Sequence, residues 1–127
     1  MKDLLVDTSV VIDFLRSDNK ESTLLYKLAS QKINLQVSIV THAELYAGES
    51  VWKNKKAEMD LENLFSGLKL IPMDRDISKQ AGYIKFKYKL DLIDAIIAST
   101  AVKYKMELVT LNIKEFKKIK ELKHFTL

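Results

Sequence analysis

The sequence contains no cysteine, and it has only one proline and three glycines among its 127 residues. The absence of cysteine excludes disulfide bonds and cysteine-based zinc or redox sites. The scarcity of glycine and proline argues against an all-β protein, which needs many tight turns. No apolar run approaches the roughly 20 residues that a membrane-spanning helix requires. Lys2 and Asp3 precede the first apolar run, so we expect no signal peptide and a soluble, cytoplasmic protein.

The composition that remains is typical of one globular domain. Hydrophobic residues make up 47% of the chain and charged residues 30%, which is an ordinary balance. A chain of 127 residues can bury a core of useful size without a disulfide or a structural metal. We therefore expect a single domain over residues 1–127.

The formal net charge of +4 is unevenly placed along the chain. Residues 103–127 contain 7 lysines or arginines and 3 acids, whereas residues 1–102 contain 14 of each kind. A basic C-terminal segment suits a polyanionic partner such as RNA. Charge alone fits a solvated, lysine-rich surface better. The charge distribution is therefore compatible with a nuclease but does not establish one.

Short β-rich runs alternate with longer helical periods. The runs predict strands over residues 4–6, 35–40, 68–73, 107–110 and 124–127. Helical stripes lie between them, over residues 10–15, 24–29, 41–48, 61–68, 77–88, 93–104 and 113–119. This alternation predicts an α/β fold, a three-layer α/β/α sandwich with a central, mainly parallel sheet of 4–5 strands. Ligands of such sheets bind beyond the carboxyl ends of the strands.

Three acids stand where a predicted strand passes into a helix. Asp7 directly follows the first strand, Glu44 lies four residues after Val40, and Asp94 opens the helix over residues 93–104. If the three carboxylates meet at one end of the sheet, they repel one another unless a cation compensates their charge. Mg²⁺ and Mn²⁺ prefer such hard oxygen ligands. The spacing therefore predicts a divalent-metal site.

Each of these acids also has a purely structural interpretation. Asp7 would cap the helix that follows it. Thr41 and Glu44 match a capping box, in which the glutamate bonds back to the backbone of the threonine. Asp91 would be a helix cap, and Asp94 a first-turn acid that favours the helix dipole. Three acids at three such positions shift the balance toward a shared site.

Four motifs in a fixed order narrow the interpretation. Residues 5–13 join an apolar strand to an Asp-Thr-Ser sequence, and residues 37–48 place a glutamate four residues before a glycine. Residues 92–101 and 108–116 supply the third and fourth motifs. Together they resemble the PIN-domain family, and within it the VapC-type toxin ribonucleases of toxin–antitoxin systems. One such motif is weak evidence, but four in order across almost the whole chain are specific.

The resemblance implies roles for particular residues. Asp7, Glu44 and Asp94 match the acids that bind Mg²⁺ or Mn²⁺ in the family, and Thr8 and Ser9 match hydroxyl residues that orient the first acid. It implies a metal-dependent endoribonuclease that acts as the toxin of a type II toxin–antitoxin pair. The implied partners are an RNA substrate, a VapB-like antitoxin and a second copy of the chain in a homodimer.

The fourth motif departs from the family pattern. Many relatives carry an aspartate where Asn112 stands, and an Asp-Phe pair where this chain has Glu115 and Phe116. An asparagine still offers a carbonyl oxygen to a metal, but it brings no charge. We expect Asn112 to complete the catalytic site, with Glu115 as the alternative.

Other functions fit the sequence less well. A haloacid-dehalogenase-type phosphatase places a second aspartate at the position of Ser9, and a receiver domain carries its phosphoacceptor on a central strand, whereas Asp7 follows the first strand. A PIN-domain RNA-processing nuclease without an antitoxin stays open, as does a catalytically inactive PIN-like binding module, because of Asn112. The aromatic, lysine-flanked segments around Trp52 and at residues 83–89 suit either RNA stacking or contact with a partner protein.

Overall fold

Five parallel strands form one sheet in the computed structural model, which describes residues 2–126. The strands are β1 (Lys2–Val6), β2 (Ile33–Ser38), β3 (Lys69–Ile71), β4 (Glu107–Val109) and β5 (Lys123–His124). Their order is β3-β2-β1-β4-β5, and each neighbouring pair is parallel. The first strand of the chain is therefore the central strand of the sheet.

The helices connect these strands and cover the sheet. Within residues 2–126 they are α1 (Thr8–Arg16), α2 (Leu24–Ala29), α3 (Ile39–Tyr46), α4 (Glu49–Lys53), α5 (Lys55–Ser66), α6 (Arg75–Tyr88), α7 (Leu92–Lys103) and α8 (Ile113–Phe116). A short 3-10 turn precedes α2. Among the helices of this part of the chain, none combines the length and the apolarity that a bilayer crossing needs.

Alternate side chains of β1 enter two cores on opposite faces of the sheet. Leu4 and Val6 pack with apolar residues of α1, α2 and α5, whereas Leu5 packs with apolar residues of α6 and α7. All three side chains are completely buried. A strand that is buried on both faces reads as a continuous apolar run, which is why this segment shows no alternation. The predicted three-layer α/β/α sandwich is confirmed.

The second strand ends earlier than its sequence pattern predicts. The β-branched residues up to Val40 favour a strand, yet the strand stops at Ser38 and α3 begins at Ile39. The Ser38 hydroxyl accepts a hydrogen bond from the Val40 N–H at 3.2 Å and so caps the helix. The alternative interpretation of Thr41 and Glu44 as a capping box is therefore wrong, because Ser38 is the N-cap residue.

Smaller differences occur elsewhere. Helix α4 has no counterpart among the predicted helices. The sequence predicts that a helix ends at Gly48, and Gly48 is also the N-cap residue of α4. Helix α8 ends at Phe116 and is shorter than predicted. The last strand covers only Lys123 and His124, and Leu127, the last residue of the predicted strand, lies outside the described residues.

The order of the strands places a crevice beside β1. From β1 the chain moves outward to β2 and β3, and it then returns to β4 and β5 on the other side. The connections leave the carboxyl ends of β1 and β4 in different directions, which opens a crevice at that point. Asp7 follows β1 and Thr110 follows β4, so both lie at this switch in strand order.

Candidate active site

Asp7 is held at the crevice by two hydroxyl groups. Its side chain is only 3% exposed. It occupies the N-cap position of α1, but its carboxylate accepts no hydrogen bond from the helix backbone. Instead, Oδ2 accepts hydrogen bonds from the hydroxyls of Ser9 and Thr110, each at 2.7 Å. The carboxylate of Asp7 is therefore positioned by side chains and does not act as a helix cap.

The two hydroxyl groups are themselves fixed by the loop that follows β4. The Leu111 N–H donates to the Ser9 hydroxyl at 3.1 Å, and the Asn112 N–H donates to the Thr110 hydroxyl at 2.9 Å. These bonds join the ends of β1 and β4 around Asp7. Thr110 was not singled out from the sequence. Its position directly after β4, inside the fourth motif, was the available signal.

Glu44 belongs to a second hydrogen-bond chain. It is the sixth residue of α3, so it lies beyond the first helical turn in which we expected it. Its Oε1 accepts a hydrogen bond from the Thr8 hydroxyl at 2.7 Å, and the Thr8 and Thr41 hydroxyl oxygens are 2.9 Å apart. Thr8 and Ser9 were both expected to orient Asp7. The structure divides them, because only Ser9 bonds to Asp7 while Thr8 bonds to Glu44.

The charges of the other acids of the site affect the pKa of Asp94. It lies in the first turn of α7, as predicted. Burial, followed by the negative charges of Asp7, Asp91, Glu44 and Glu115, raises the pKa of Asp94 from 3.8 to about 6. Asp91 occupies the N-cap position of α7, as expected, but its side chain forms no capping bond. Four other carboxylates therefore lie within electrostatic reach of Asp94 at this end of the sheet.

The fourth motif contributes two unequal candidates. Asn112 is exposed at the N-cap position of α8, where its side chain forms no capping bond. Glu115 accepts a hydrogen bond from the Lys118 ammonium at 2.9 Å, and its charge helps to raise the pKa of Asp94. Asn112 as the fourth site residue stays a prediction, and Glu115 has the stronger electrostatic link to the acids.

The donor set suits a hard divalent cation. Carboxylate oxygens are the ligands that Mg²⁺ and Mn²⁺ prefer, and a cation would relieve the repulsion that acts on Asp94. The carboxylates stand apart, however. In the part of the chain that the structure describes, no three Asp, Glu or His side chains are grouped tightly enough to enclose one ion. The acids at this end of the sheet therefore offer suitable donors for a cation, but they do not enclose one as they stand.

His42, which is two residues from Glu44, packs within an aromatic cluster. Its ring centroid is 4.7 Å from that of Tyr46 and 4.6 Å from that of Phe65. Trp52 adjoins this cluster, where its indole N–H donates to the Tyr46 carbonyl at 2.6 Å and its side chain stays 65% exposed. His42 therefore packs as an ordinary residue of α3.

Comparisons with known proteins agree with this architecture. Ribonuclease VapC19 of Mycobacterium tuberculosis (strain ATCC 25618 / H37Rv) is 29% identical over 117 residues, which cover 88% of this chain and 90% of that protein. A toxin-antitoxin complex from Klebsiella pneumoniae contains a chain that is 28% identical, with a TM-score of 0.76 and 94% of each chain covered. VapBC2 from Rickettsia felis, bound to a promoter DNA fragment, contains a chain that is 26% identical, with a TM-score of 0.77 and 98% of each chain covered. Residues 4–122 match the model of the PIN domain, and this chain therefore belongs to the PIN domain family.

Proposed function

We propose that this protein is a metal-dependent endoribonuclease and the toxin of a type II toxin–antitoxin pair. The observation that carries the proposal is the setting of Asp94, where burial and the charges of four neighbouring carboxylates raise the pKa to about 6. Such a concentration of negative charge at a strand-end crevice is costly without a cation. PIN-domain nucleases of the VapC type generally depend on divalent metal ions.

The chemistry follows from the acids at the crevice. Asp7, Glu44 and Asp94 would hold Mg²⁺ or Mn²⁺. When bound, such an ion polarises a phosphodiester and lowers the pKa of a water molecule. The carboxylates of the chain bind the cation and are able to accept the proton of the attacking water. The reaction needs no serine or histidine nucleophile. The structure is consistent with this, because the hydroxyl of Ser9 donates its proton to Asp7.

The direct test is cleavage of single-stranded RNA by the purified protein in the presence of Mn²⁺. We expect internal cuts, seen as discrete fragments of an end-labelled RNA, and no cuts in DNA of the same sequence. RNA binding without cleavage would instead support a catalytically inactive binding module. Cleavage by a protein whose gene has no antitoxin neighbour would support a processing nuclease.

The proposed antitoxin is an acidic or amphipathic peptide that lies in a groove beside the acids. The groove has a volume of about 360 Å³ and is bounded by α1, α3, α4 and α5. Leu15, Leu45 and Leu61 line it, together with Arg16 and with Glu44 itself. An apolar peptide face suits the leucines, and an acidic residue suits Arg16. A peptide in this groove reaches Glu44, so it would also inhibit the nuclease.

Groove occupancy is testable by coexpression with the reading frame directly upstream of the gene. We expect copurification and loss of RNA cleavage. Ala57→Arg places a bulky cation in the groove and should abolish copurification. Met59→Arg lies on the same helix, 52% exposed and outside the groove lining, and should leave it intact. Equal binding by both variants would place the partner elsewhere.

A homodimer is the second assembly that we propose. Phe86 is 80% exposed, Trp52 65% and Tyr83 50%, and large exposed rings are enriched in protein interfaces. Light scattering at micromolar concentration should give twice the chain mass of 14.6 kDa. Phe86→Glu and Trp52→Glu then identify which aromatic surface is used. A monomer in the wild-type sample would refute the dimer.

The C-terminal lysines are candidates for RNA binding. Lys118 is paired with Glu115, whereas within residues 2–126 neither Lys117 nor Lys120 forms an ion pair. By contrast, each lysine at positions 53, 55 and 56 forms an ion pair with an acid. The C-terminal segment therefore has more uncompensated positive charge to offer to phosphates.

Replacing Lys117, Lys118 and Lys120 together by glutamine should weaken the binding of single-stranded RNA. Each lost phosphate contact flattens the dependence of log affinity on log salt by about 0.7. Single-turnover cleavage at saturating protein should not change, since these lysines are not among the acids of the site. The matched control is the triple glutamine variant at positions 53, 55 and 56, for which we expect the wild-type salt slope. An unchanged slope in the first variant would move the RNA surface away from this segment.

A further inference from the structure

A chain of two hydroxyl groups connects the buried interior of the protein to Glu44. We infer that Thr41 is a positioning residue, whose hydroxyl acts through Thr8 to orient the carboxylate of Glu44. The inference deepens the proposed function, since it rests on Glu44 as an acid that holds the metal. Thr41 itself contacts neither metal nor RNA in this scheme.

The direction of the hydrogen bonds follows from proton counting. The Thr8 hydroxyl has one proton, and it donates that proton to Oε1 of Glu44 at 2.7 Å. The contact of 2.9 Å between the Thr8 and Thr41 oxygens must then have Thr41 as the donor. An ionised carboxylate only accepts, so the sequence of donation runs from Thr41 to Thr8 to Glu44.

Thr41 therefore determines the orientation of the Thr8 hydroxyl proton. A hydroxyl group rotates freely about its C–O bond unless its lone pairs and its proton are both engaged. Because Thr41 donates to the oxygen of Thr8, the proton of Thr8 is directed away from Thr41 and toward Glu44. Hydrogen bonds in such a chain also strengthen one another.

Burial makes the chain rigid at one end only. Thr41 is completely buried and Thr8 is 8% exposed, whereas Glu44 is exposed. Thr41 and Glu44 lie on α3, and Thr8 is the first residue of α1. The chain thus links two helices and restrains a long, exposed side chain that otherwise samples several rotamers.

Glu44 depends on this chain more than Asp7 depends on any single donor. Asp7 accepts from two hydroxyls, those of Ser9 and Thr110. Among the side-chain hydrogen bonds of residues 2–126, Thr8 supplies the one that reaches Glu44. If the Thr8 hydroxyl no longer points toward Glu44, the Glu44 side chain should become disordered, while Asp7 should stay in place.

The experiment uses Thr41→Val, which keeps the shape of threonine without its hydroxyl, and Thr41→Ser, which keeps the hydroxyl. Two readouts are made on the full chain. Carbon relaxation of the Glu44 side chain in metal-free protein should show more motion in the valine variant and wild-type order in the serine variant. Calorimetric titration with Mn²⁺ should show roughly tenfold weaker binding for the valine variant, as is usual when a group that supports a ligand is lost.

Two further variants separate positioning from general damage. Thr8→Val should weaken Mn²⁺ binding at least as much, and adding Thr41→Val to it should cause no further loss, because Thr41 acts through Thr8. Thr100→Val is the matched control, since Thr100 is 1% exposed and its hydroxyl bonds to the Ile96 carbonyl, not to an acid. It should leave both readouts unchanged.

The outcomes distinguish this inference from the proposed function. Wild-type order of Glu44 in Thr41→Val would overturn the positioning role, and so would additive losses in the double variant or an equal loss in Thr100→Val. If the wild-type protein neither binds Mn²⁺ nor cleaves RNA, the proposed function fails. The relaxation of Glu44 in metal-free protein still decides whether Thr41 orients that side chain.

Discussion

Replacement of Asp94 by asparagine is expected to abolish RNA cleavage and to raise the melting temperature of the metal-free protein at pH 7. Cleavage should fall by more than about 100-fold, because loss of a metal ligand costs more than loss of a group that supports one. Stability should rise because asparagine removes a charge that is disfavoured by burial and repelled by Asp7, Asp91, Glu44 and Glu115. Cleavage assays with Mn²⁺ and thermal melts of the same preparation measure both effects.

The gain in stability should depend on pH in a defined direction. The pKa of Asp94 is about 6 in the folded protein and 3.8 as its ordinary value. Below pH 3.8 the carboxyl is protonated in the folded and unfolded states, so it carries no penalty. Between pH 3.8 and about 6 the unfolded chain ionises this carboxyl, while burial and the neighbouring charges keep it protonated in the folded protein, so stability is lost over this range and the loss is complete above it. The advantage of the asparagine variant should therefore be full at pH 7 and vanish near pH 4.

Asp76→Asn provides the matched control for this prediction. The Asp76 side chain is 86% exposed at the start of α6, and its charge is not among the causes that raise the pKa of Asp94. This variant should cleave RNA like the wild type and gain no stability at pH 7. A well-folded Asp94→Asn protein with full activity would rule out Asp94 as a metal ligand.

Removal of divalent metal is expected to stop cleavage completely, and Mn²⁺ should restore it. The same ion should stabilise the folded protein, because it binds the native site and not the unfolded chain. At a free concentration 100 times the dissociation constant, the gain is about 2.7 kcal/mol. Melts with and without Mn²⁺ after treatment with a chelator measure this gain without any RNA present.

The pH dependence of the metal effect follows from the same carboxyl. Binding needs Asp94 to be ionised, so the cation must displace a proton when the pH is below about 6. Stabilisation by Mn²⁺ should therefore be full at pH 7.5 and decline as the pH falls through about 6. The Asp94→Asn variant should show little stabilisation at either pH. Cleavage that persists in the presence of excess chelator would contradict metal dependence.

The order of apolar and polar residues along the chain was sufficient to predict the class of fold. Residues 4–6 are buried on both faces, and the helical stripe over residues 93–104 becomes α7. Such patterns are local, since they depend on the period of a strand or a helix and on nothing distant. The acids at the strand ends were visible for the same reason, because each adjoins its own strand or helix in sequence.

The strand-to-helix boundary at Ser38 could not be predicted from the local sequence pattern. The β-branched residues favoured a longer strand, but the Ser38 hydroxyl satisfies a free N–H of α3 and the helix begins earlier. The earlier start moves Thr41 from the predicted first residue of the helix to the third. Thr41 becomes an interior residue that faces Thr8, and Glu44 moves into the second turn.

Only the tertiary structure decided which hydroxyl groups orient which acid. Thr8 and Ser9 are adjacent in sequence, yet their hydroxyls donate to different acids. Thr8 donates to Glu44, which is 36 positions away. Ser9 donates to Asp7, which also accepts from Thr110, 103 positions away. These pairings depend on the order of the strands in the sheet, which brings the ends of β1 and β4 together. The periodicity of apolar residues indicates which face of a helix or strand is buried, but it does not indicate which other element packs against that face. The raised pKa of Asp94 has the same origin, because its burial and the charges of Asp7, Glu44 and Glu115, which come from three distant segments, arise only when the sheet has formed.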